Sequence, residues 1–200
     1  MSGTSLRERS KARRKRAIEV AAMRLFAERG YDATTVSDIA AEAEVAPRTV
    51  SLYFPTKLDI AQASATDAIE RLIAVLEHPR RSASMAQSVV GWLHEESVHV
   101  DAEEWDLRAD MYSANPFLIN TATWQGAALG AASAGILAAE LGVPGTHVAV
   151  RLSGGAIAGV LTHYTLLMRR SDQTAELLGL VQGLVQGIID GARGALATAN

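Results

Sequence analysis

The chain has 200 residues, of which 48% are hydrophobic and 20% charged, a composition that allows a buried core in one domain or two small ones. It contains no cysteine, which excludes a disulfide framework and a thiolate metal site. Residues 1–57 hold 11 Lys and Arg against 7 Asp and Glu, whereas residues 58–200 hold 8 against 15, so only the N-terminal part should attract a polyanion.

Three helices are predicted in the N-terminal part, because apolar residues recur there with helical spacing. The first is expected at about residues 10–29, behind a basic run that includes Arg14, and Gly30 ends it as a left-handed cap. Thr35, with Asp38 three residues later, forms a capping box for a second helix that continues to about residue 43. Pro47 suits the first turn of a third helix. Two short helices joined by a tight turn are the pattern of a helix-turn-helix.

Side chains suited to DNA lie on and beside the third helix. Its exposed first turn could enter a major groove, where the planar fork of Arg48 can hydrogen-bond guanine in a bidentate way. Thr49 offers a hydroxyl and a methyl to a base edge or a phosphate. The remaining members of the predicted DNA-binding set are better suited to the phosphate backbone and to positioning, and they are Arg14, Thr34, Thr35, Pro47, Ser51, Tyr53 and Lys57.

Helical periodicity continues to the end of the chain, and no convincing alternation of period two interrupts it. A fourth helix from about residue 55 to just before Pro79 is long enough to bridge two lobes. Further helices are expected at about 84–99, 102–114, 116–140, 146–170 and 172–196. The sequence therefore predicts an all-α fold of about nine helices, with a helix-turn-helix DNA-binding domain at 1–57 and a helical ligand-binding and dimerisation domain at 58–200.

The N-terminal motifs resemble those of the TetR family of transcriptional regulators over about residues 12–60. The matching elements are Gly30-Tyr31, Thr35-Val36 followed by Ile39-Ala40, and Tyr53-Phe54 followed by Lys57. Two residues depart from the family pattern: Glu44 replaces the usual turn glycine, and Ser51 stands where many members have tyrosine. A left-handed backbone at Glu44 would cost about 1 kcal/mol. The resemblance implies a homodimeric regulator that binds double-stranded operator DNA and a small-molecule effector.

Glycines recur every four residues near the C-terminus, although each costs about 1 kcal/mol relative to alanine inside a helix. Close approach of another helix would explain them, and we predict a homodimer interface there. Internal packing within one subunit is the alternative. The predicted interface comprises Gly155, Gly159, Gly179, Gly183, Gly187 and Gly191.

Large apolar and aromatic residues with a few polar tips are concentrated between the head and the glycine stripe. Such residues can line a ligand cavity between helices, although for any single one of them ordinary core packing is the favoured role. His163 could orient a polar group of a ligand or be a satisfied buried histidine. The predicted ligand-binding set is Trp92, Trp105, Met111, Tyr112, Phe117, Trp124, His163 and Leu167.

Catalysis, a metal and a cofactor are not expected. The two histidines of the segment His94 to His99 are five positions apart, about 140° around a helix, so they cannot share one metal from one face. The basic N-terminus lacks the apolar stretch of a signal peptide, and the longest apolar run is too short to span a bilayer, which predicts a cytoplasmic protein without a membrane partner. The sequence thus favours a ligand-responsive transcriptional repressor on a palindromic operator. The alternative is a helical ligand-binding or scaffold protein with a weakened DNA-binding head.

Overall fold

The computed structural model describes residues 6–78, 83–121, 123–169, 171 and 175–198, and these residues form ten α-helices without a strand. The helices are α1 (Leu6–Arg29), α2 (Val36–Glu42), α3 (Pro47–Tyr53), α4 (Lys57–Leu76), α5 (Met85–His99), α6 (Ala102–Ala114), α7 (Phe117–Thr121), α8 (Thr123–Leu141), α9 (Val148–Leu167) and α10 (Ala175–Thr198). The predicted all-α class is confirmed.

Two boundaries differ from the sequence-based expectation. The single helix predicted over 116–140 is two helices, α7 and α8, so the described residues hold ten helices rather than about nine. Helix α1 begins at Leu6, several residues before the expected start. Its first turns are polar and exposed, and Arg, Lys and Glu are good helix formers even where no apolar face requires a helix.

Local sequence signals explain the three-helix head. Gly30 has a φ of +85° and ends α1, while Thr35 and Asp38 form a complete capping box at the start of α2. Glu44 has a φ of +53° in the turn between α2 and α3, so a non-glycine residue does adopt the left-handed conformation there. Ile39 and Val50 are fully buried and pack α2 and α3 onto α1.

The apolar core of the head continues into the second lobe. Met111 and Tyr112 of α6, together with Leu118 and Leu166, belong to the same buried cluster as Phe26 of α1. A second cluster, built from α4, α5, α6, α8, α9 and α10, contains Trp92 and Trp105. The division at residues 57 and 58 stays a prediction, and apolar packing spans it.

Helices α8 and α9 cross at very short range. A Cβ atom added at Gly154 would lie 2.5 Å from the carbonyl oxygen of Gly130 and 2.7 Å from the backbone nitrogen of Ala134. Only glycine permits this backbone contact. Within the described part of the chain, no helix is both long and apolar enough to cross a membrane.

Candidate nucleic-acid interface and its connection to the second lobe

Helix α3 buries one side against the head and presents the other to solvent. Val50 is fully buried, whereas Pro47, Arg48 and Ser51 are exposed. Arg48 has no hydrogen-bond or ion-pair partner within the described residues, so its guanidinium is available to an external acceptor. This placement is compatible with the predicted role of Arg48 at a base edge.

Leu52 is a surface residue of α3 that the sequence analysis did not select. It is 82% exposed and lies one helical turn after Arg48, on the same face. Because an apolar residue in a short helix is ordinarily assigned to the core, the sequence analysis did not select Leu52 as a DNA contact. Val50 and Phe54 already occupy the buried face at i and i+4, and that spacing was the signal that Leu52 points elsewhere.

Thr34 differs from its predicted role, because its side chain is only 1% exposed. Its hydroxyl donates to the carbonyl oxygen of Gly30 at 2.8 Å and tightens the end of α1. The hydroxyl is thus not at the surface where a phosphate would lie. Thr35 is exposed, but its hydroxyl is engaged with Asp38 in the capping box, and this hydrogen bond holds the pKa of Asp38 below its ordinary value.

Lys57 is also engaged within the head. Its ammonium group donates to the carbonyl oxygens of Tyr31 at 2.7 Å and Thr34 at 2.9 Å, and it lies 4.2 Å from the centre of the Tyr31 ring. The lysine therefore ties the start of α4 to the loop after α1. The other predicted phosphate contacts lie at or near the surface: Arg14 and Ser51 are exposed, and Thr49 and Tyr53 are half-buried.

The side of α1 that faces the second lobe carries a network of ion pairs. Arg16 pairs with Glu104 of α6, and Lys15 contacts Asp67 of α4 at 2.6 Å and Glu19 at 3.1 Å. Burial raises the pKa of Glu19 above its ordinary value, against the opposing effect of the Lys15 charge. These residues surround a cleft of about 460 Å³ between α1, α4 and α6.

A second connection lies at the other end of α6. Asn115 is buried, its Oδ1 accepts a hydrogen bond from the backbone N–H of Tyr31 at 2.7 Å, and its Nδ2 donates to the carbonyl oxygen of Phe26 at 2.9 Å. The amide thus satisfies backbone groups at the C-terminal end of α1. Since Glu104 holds α1 near its middle, α6 is attached to the head at two points and should move with it.

The predicted ligand-binding residues do not line one common cavity within the described part of the chain. Trp92 and Trp105 are buried in the lobe cluster, whereas Met111 and Tyr112 belong to the head cluster. The core-packing alternative therefore describes Met111 and Tyr112, whereas Trp92 also lines a cleft of about 680 Å³ between α4 and α5. Their helical spacing was correct for burial, but spacing alone does not tell which of two cores a residue enters.

The other members of that set are scattered. Phe117 is 42% exposed and packs edge-on against Tyr31, with ring centres 5.2 Å apart, so it covers the head rather than a lobe cavity. His163 is exposed, which excludes the buried-histidine alternative. The side chains of Trp124 and Leu167 lie outside the described residues, as does that of His99.

The six glycines of the predicted interface are all exposed on α9 and α10. A Cβ atom added at any of them would meet no atom within 4 Å. Internal packing therefore does not explain them, and the close contact inside the subunit is made instead by Gly154. Large apolar side chains are exposed on the same two helices, namely Val148, Leu152, Leu180 and Leu184.

Comparisons with known proteins agree with this architecture. The sequence profile of bacterial regulatory proteins of the tetR family matches residues 18–63. No curated protein matches the sequence. Among solved structures, Salmonella enterica GusR is similar over 89% of this chain and 96% of its own, with a TM-score of 0.61 and 18% identity.

Two further solved structures share the fold. The TetR family transcriptional regulator PfmR from Thermus thermophilus is 21% identical, covers 86% of this chain and 97% of its own, and gives a TM-score of 0.54. NalD, the secondary repressor of the MexAB-OprM multidrug efflux pump in Pseudomonas aeruginosa, is 17% identical, covers 88% and 97%, and gives a TM-score of 0.52. At these identities the likeness concerns the fold.

Proposed function

We propose that the chain is a ligand-responsive regulator of transcription, because the tetR family profile matches its residues 18–63 and the TetR family regulator PfmR shares its fold. In this proposal a homodimer represses transcription from a palindromic operator, and a small molecule releases it. The observation that carries the DNA-binding part is the exposed face of α3, where Arg48 has no partner within the described residues and Leu52 lies beside it. A guanidinium and an apolar group on one turn suit a guanine edge and a thymine methyl, respectively.

The exposed glycines and leucines of α9 and α10 support the homodimer. Leu152 and Leu180 are 70% and 57% exposed, and a monomer gains nothing by presenting such side chains beside a smooth glycine surface. A twofold axis through these helices gives an isologous contact and places two heads on one duplex. The operator then has two inverted half-sites whose spacing follows the helical repeat of DNA.

Release by a ligand follows from the attachments of α1. A ligand that binds better to a lobe conformation in which α4 and α6 are displaced would move α1 through Glu104 and Asn115, and so change the separation of the two heads. Repression is supported by analogy with NalD, which is a repressor. A dimer that occupies its operator without an activating contact would also act as a repressor.

The proposal is tested by selecting bound sequences from random duplex DNA with the purified full chain. We expect an inverted repeat to be enriched, with G and T at the positions nearest to Arg48 and Leu52. The variants Arg48→Ala and Leu52→Ala should relax the preference at one position per half-site each, and Val98→Ala, at an exposed position of α5, serves as the control. Enrichment of no sequence, with the chain folded, would favour the ligand-binding or scaffold alternative.

A further inference from the structure

The most unusual polar group of the lobe is the guanidinium of Arg108 on α6. Its side chain is only 1% exposed, and its Nε and Nη2 atoms have no hydrogen-bond partner within the described residues. Burial lowers the pKa of Arg108 to about 10, so the group is still charged at neutral pH. A buried charge without a matched partner costs stability, and natural chains keep such a group where it has a use.

The carboxylates near Arg108 are already occupied. Glu96 of α5 is 3% exposed, and its Oε2 and Oε1 accept from Nε and Nη2 of Arg71 at 3.1 Å and 2.5 Å. Glu104 accepts from Arg16 and from the hydroxyl of Ser64. Arg71 and Glu96 show how a carboxylate occupies the Nε and Nη2 edge of a guanidinium in this lobe. The same edge of Arg108 lacks its acceptor.

The surroundings of Arg108 favour a compound with an apolar body. The guanidinium carbon lies 4.4 Å from the centre of the Trp105 ring, and Trp105 in turn packs edge-on against Tyr164. The indole Nε1 of Trp105 is buried and has no hydrogen-bond partner within the described residues either. Three unpaired donors on two stacked side chains call for an acceptor, not for a cation.

The cleft between α1, α4 and α6 approaches Arg108 on its Nη1 side, where Ser64 lines the cleft and its hydroxyl accepts from Nη1 at 3.2 Å. Arg108 and Trp105 are not among the lining residues, so a compound in the cleft reaches their unpaired donors only when α4 and α6 move apart. A volume of about 460 Å³ lies within the range of small-molecule sites.

We propose that Arg108 is the receptor for a carboxylate of the effector, which it binds through Nε and Nη2 while Trp105 contacts the apolar part of the same compound. Calling the ligand an effector rests on the proposed function, whereas binding of a carboxylate to Arg108 can be measured without DNA. Bidentate pairing of arginine with a carboxylate adds geometric selection to charge, so a neutral amide of the same shape is a poor substitute.

The position of Arg108 also gives the bound carboxylate a route to the head. Nη1 of Arg108 donates to Ser64, Ser64 donates to Glu104 at 3.0 Å, and Glu104 pairs with Arg16 of α1. A carboxylate bound at Nε and Nη2 leaves the Nη1 hydrogen bond to Ser64 in place, so a shift of Arg108 on ligand binding would be passed to Ser64 and Glu104 through these contacts. The residues that would sense the ligand and those that hold α1 thus lie on the same helix, α6.

The test is a calorimetric titration of the full chain with straight-chain carboxylates from butanoate to decanoate and with benzoate, each beside its primary amide. We expect saturable binding of at least one carboxylate, quenching of tryptophan fluorescence, and binding of its amide that is at least tenfold weaker. Arg108→Gln and Arg108→Met should each weaken carboxylate binding at least tenfold, whereas Arg29→Gln, at an exposed position at the end of α1, should leave it unchanged. Circular dichroism verifies that each variant is folded.

Failure of every carboxylate to bind, equal binding of acid and amide, or full binding by a folded Arg108 variant would overturn the proposal. If both Arg108 variants fail to fold, the comparison of acid with amide on the wild type decides. Sequence-specific DNA binding is measured separately by fluorescence anisotropy. DNA binding without carboxylate binding would refute the Arg108 site alone, and carboxylate binding without DNA binding would refute the regulator alone.

Discussion

Replacing glycines of α10 by alanine should stabilise an isolated protomer and weaken a dimer that forms through this helix. Gly183 and Gly187 are exposed, and a Cβ atom at either would meet nothing within 4 Å in the single subunit. Replacing each by alanine removes a helix-propensity cost of about 0.8–1.0 kcal/mol, so the double variant Gly183→Ala/Gly187→Ala should stabilise an isolated protomer by about 2 kcal/mol.

In a dimer whose helices meet at these glycines, the two added methyl groups would occupy the space of the partner's backbone. Overpacking of this kind costs about 1–3 kcal/mol at each contact, and the twofold axis repeats every contact. Dimerisation of the double variant should therefore weaken by at least about 1.4 kcal/mol, a factor of ten in the dissociation constant.

Sedimentation equilibrium over a range of concentrations measures the dissociation constant, and thermal unfolding at the lowest concentration measures the protomer. Gly91→Ala is the matched control, since Gly91 is an exposed glycine inside α5 with open space around it. The control should gain stability and leave dimerisation unchanged. If the double variant behaves like the control, helices do not approach at this stripe, and the interface assigned to α9 and α10 is wrong.

Three further substitutions test individual features of the fold by urea unfolding at one protein concentration. Glu44→Gly should stabilise the chain by about 1 kcal/mol, because a φ of +53° is strained for glutamate and not for glycine. An unchanged free energy of unfolding would contradict strain at this turn. Gly154→Ala should lose about 2 kcal/mol, because its Cβ would meet Gly130 backbone at 2.5 Å, and a neutral result would mean that α8 and α9 can separate freely. Glu19→Gln tests the raised pKa of Glu19. The Glu19 carboxylate binds a proton more tightly in the folded chain than in the unfolded chain, where its pKa is 4.5. The wild type should therefore gain stability relative to the variant as the pH falls from neutral towards 4.5. A difference between the two chains that does not change with pH would exclude that shift.

Local signals in the sequence were sufficient for the head. The capping box at Thr35, the left-handed cap at Gly30 and the strained Glu44 each depend on neighbours within a few residues, and all three are present in the structure. The role of Lys57 depends on a contact across the head, with the carbonyl oxygen of Tyr31, 26 positions away. Thr34 bonds the carbonyl oxygen of Gly30 only four positions away, but its residue type is equally suited to a phosphate at the surface, so the pattern did not distinguish the two roles.

The lobe was predictable as a set of helices but not as a site. Periodicity identified Trp105 and Tyr112 as inward-facing, yet it did not assign them to different cores. Arg108 escaped notice because a charged residue in a helix is ordinarily exposed. Its burial is decided by the packing of α6 against α1 and α9, and by Ser64 of α4, which comes from 44 positions away.

The most direct test of DNA reading by α3 is a fluorescence anisotropy titration of the wild-type chain and of Arg48→Ala against one duplex that carries the selected inverted repeat. Sequence-specific binding by two protomers per duplex, lost in the variant by about 1–3 kcal/mol per half-site, is the predicted result. Binding that is equally tight for both chains, or equally tight on a scrambled duplex, would contradict it.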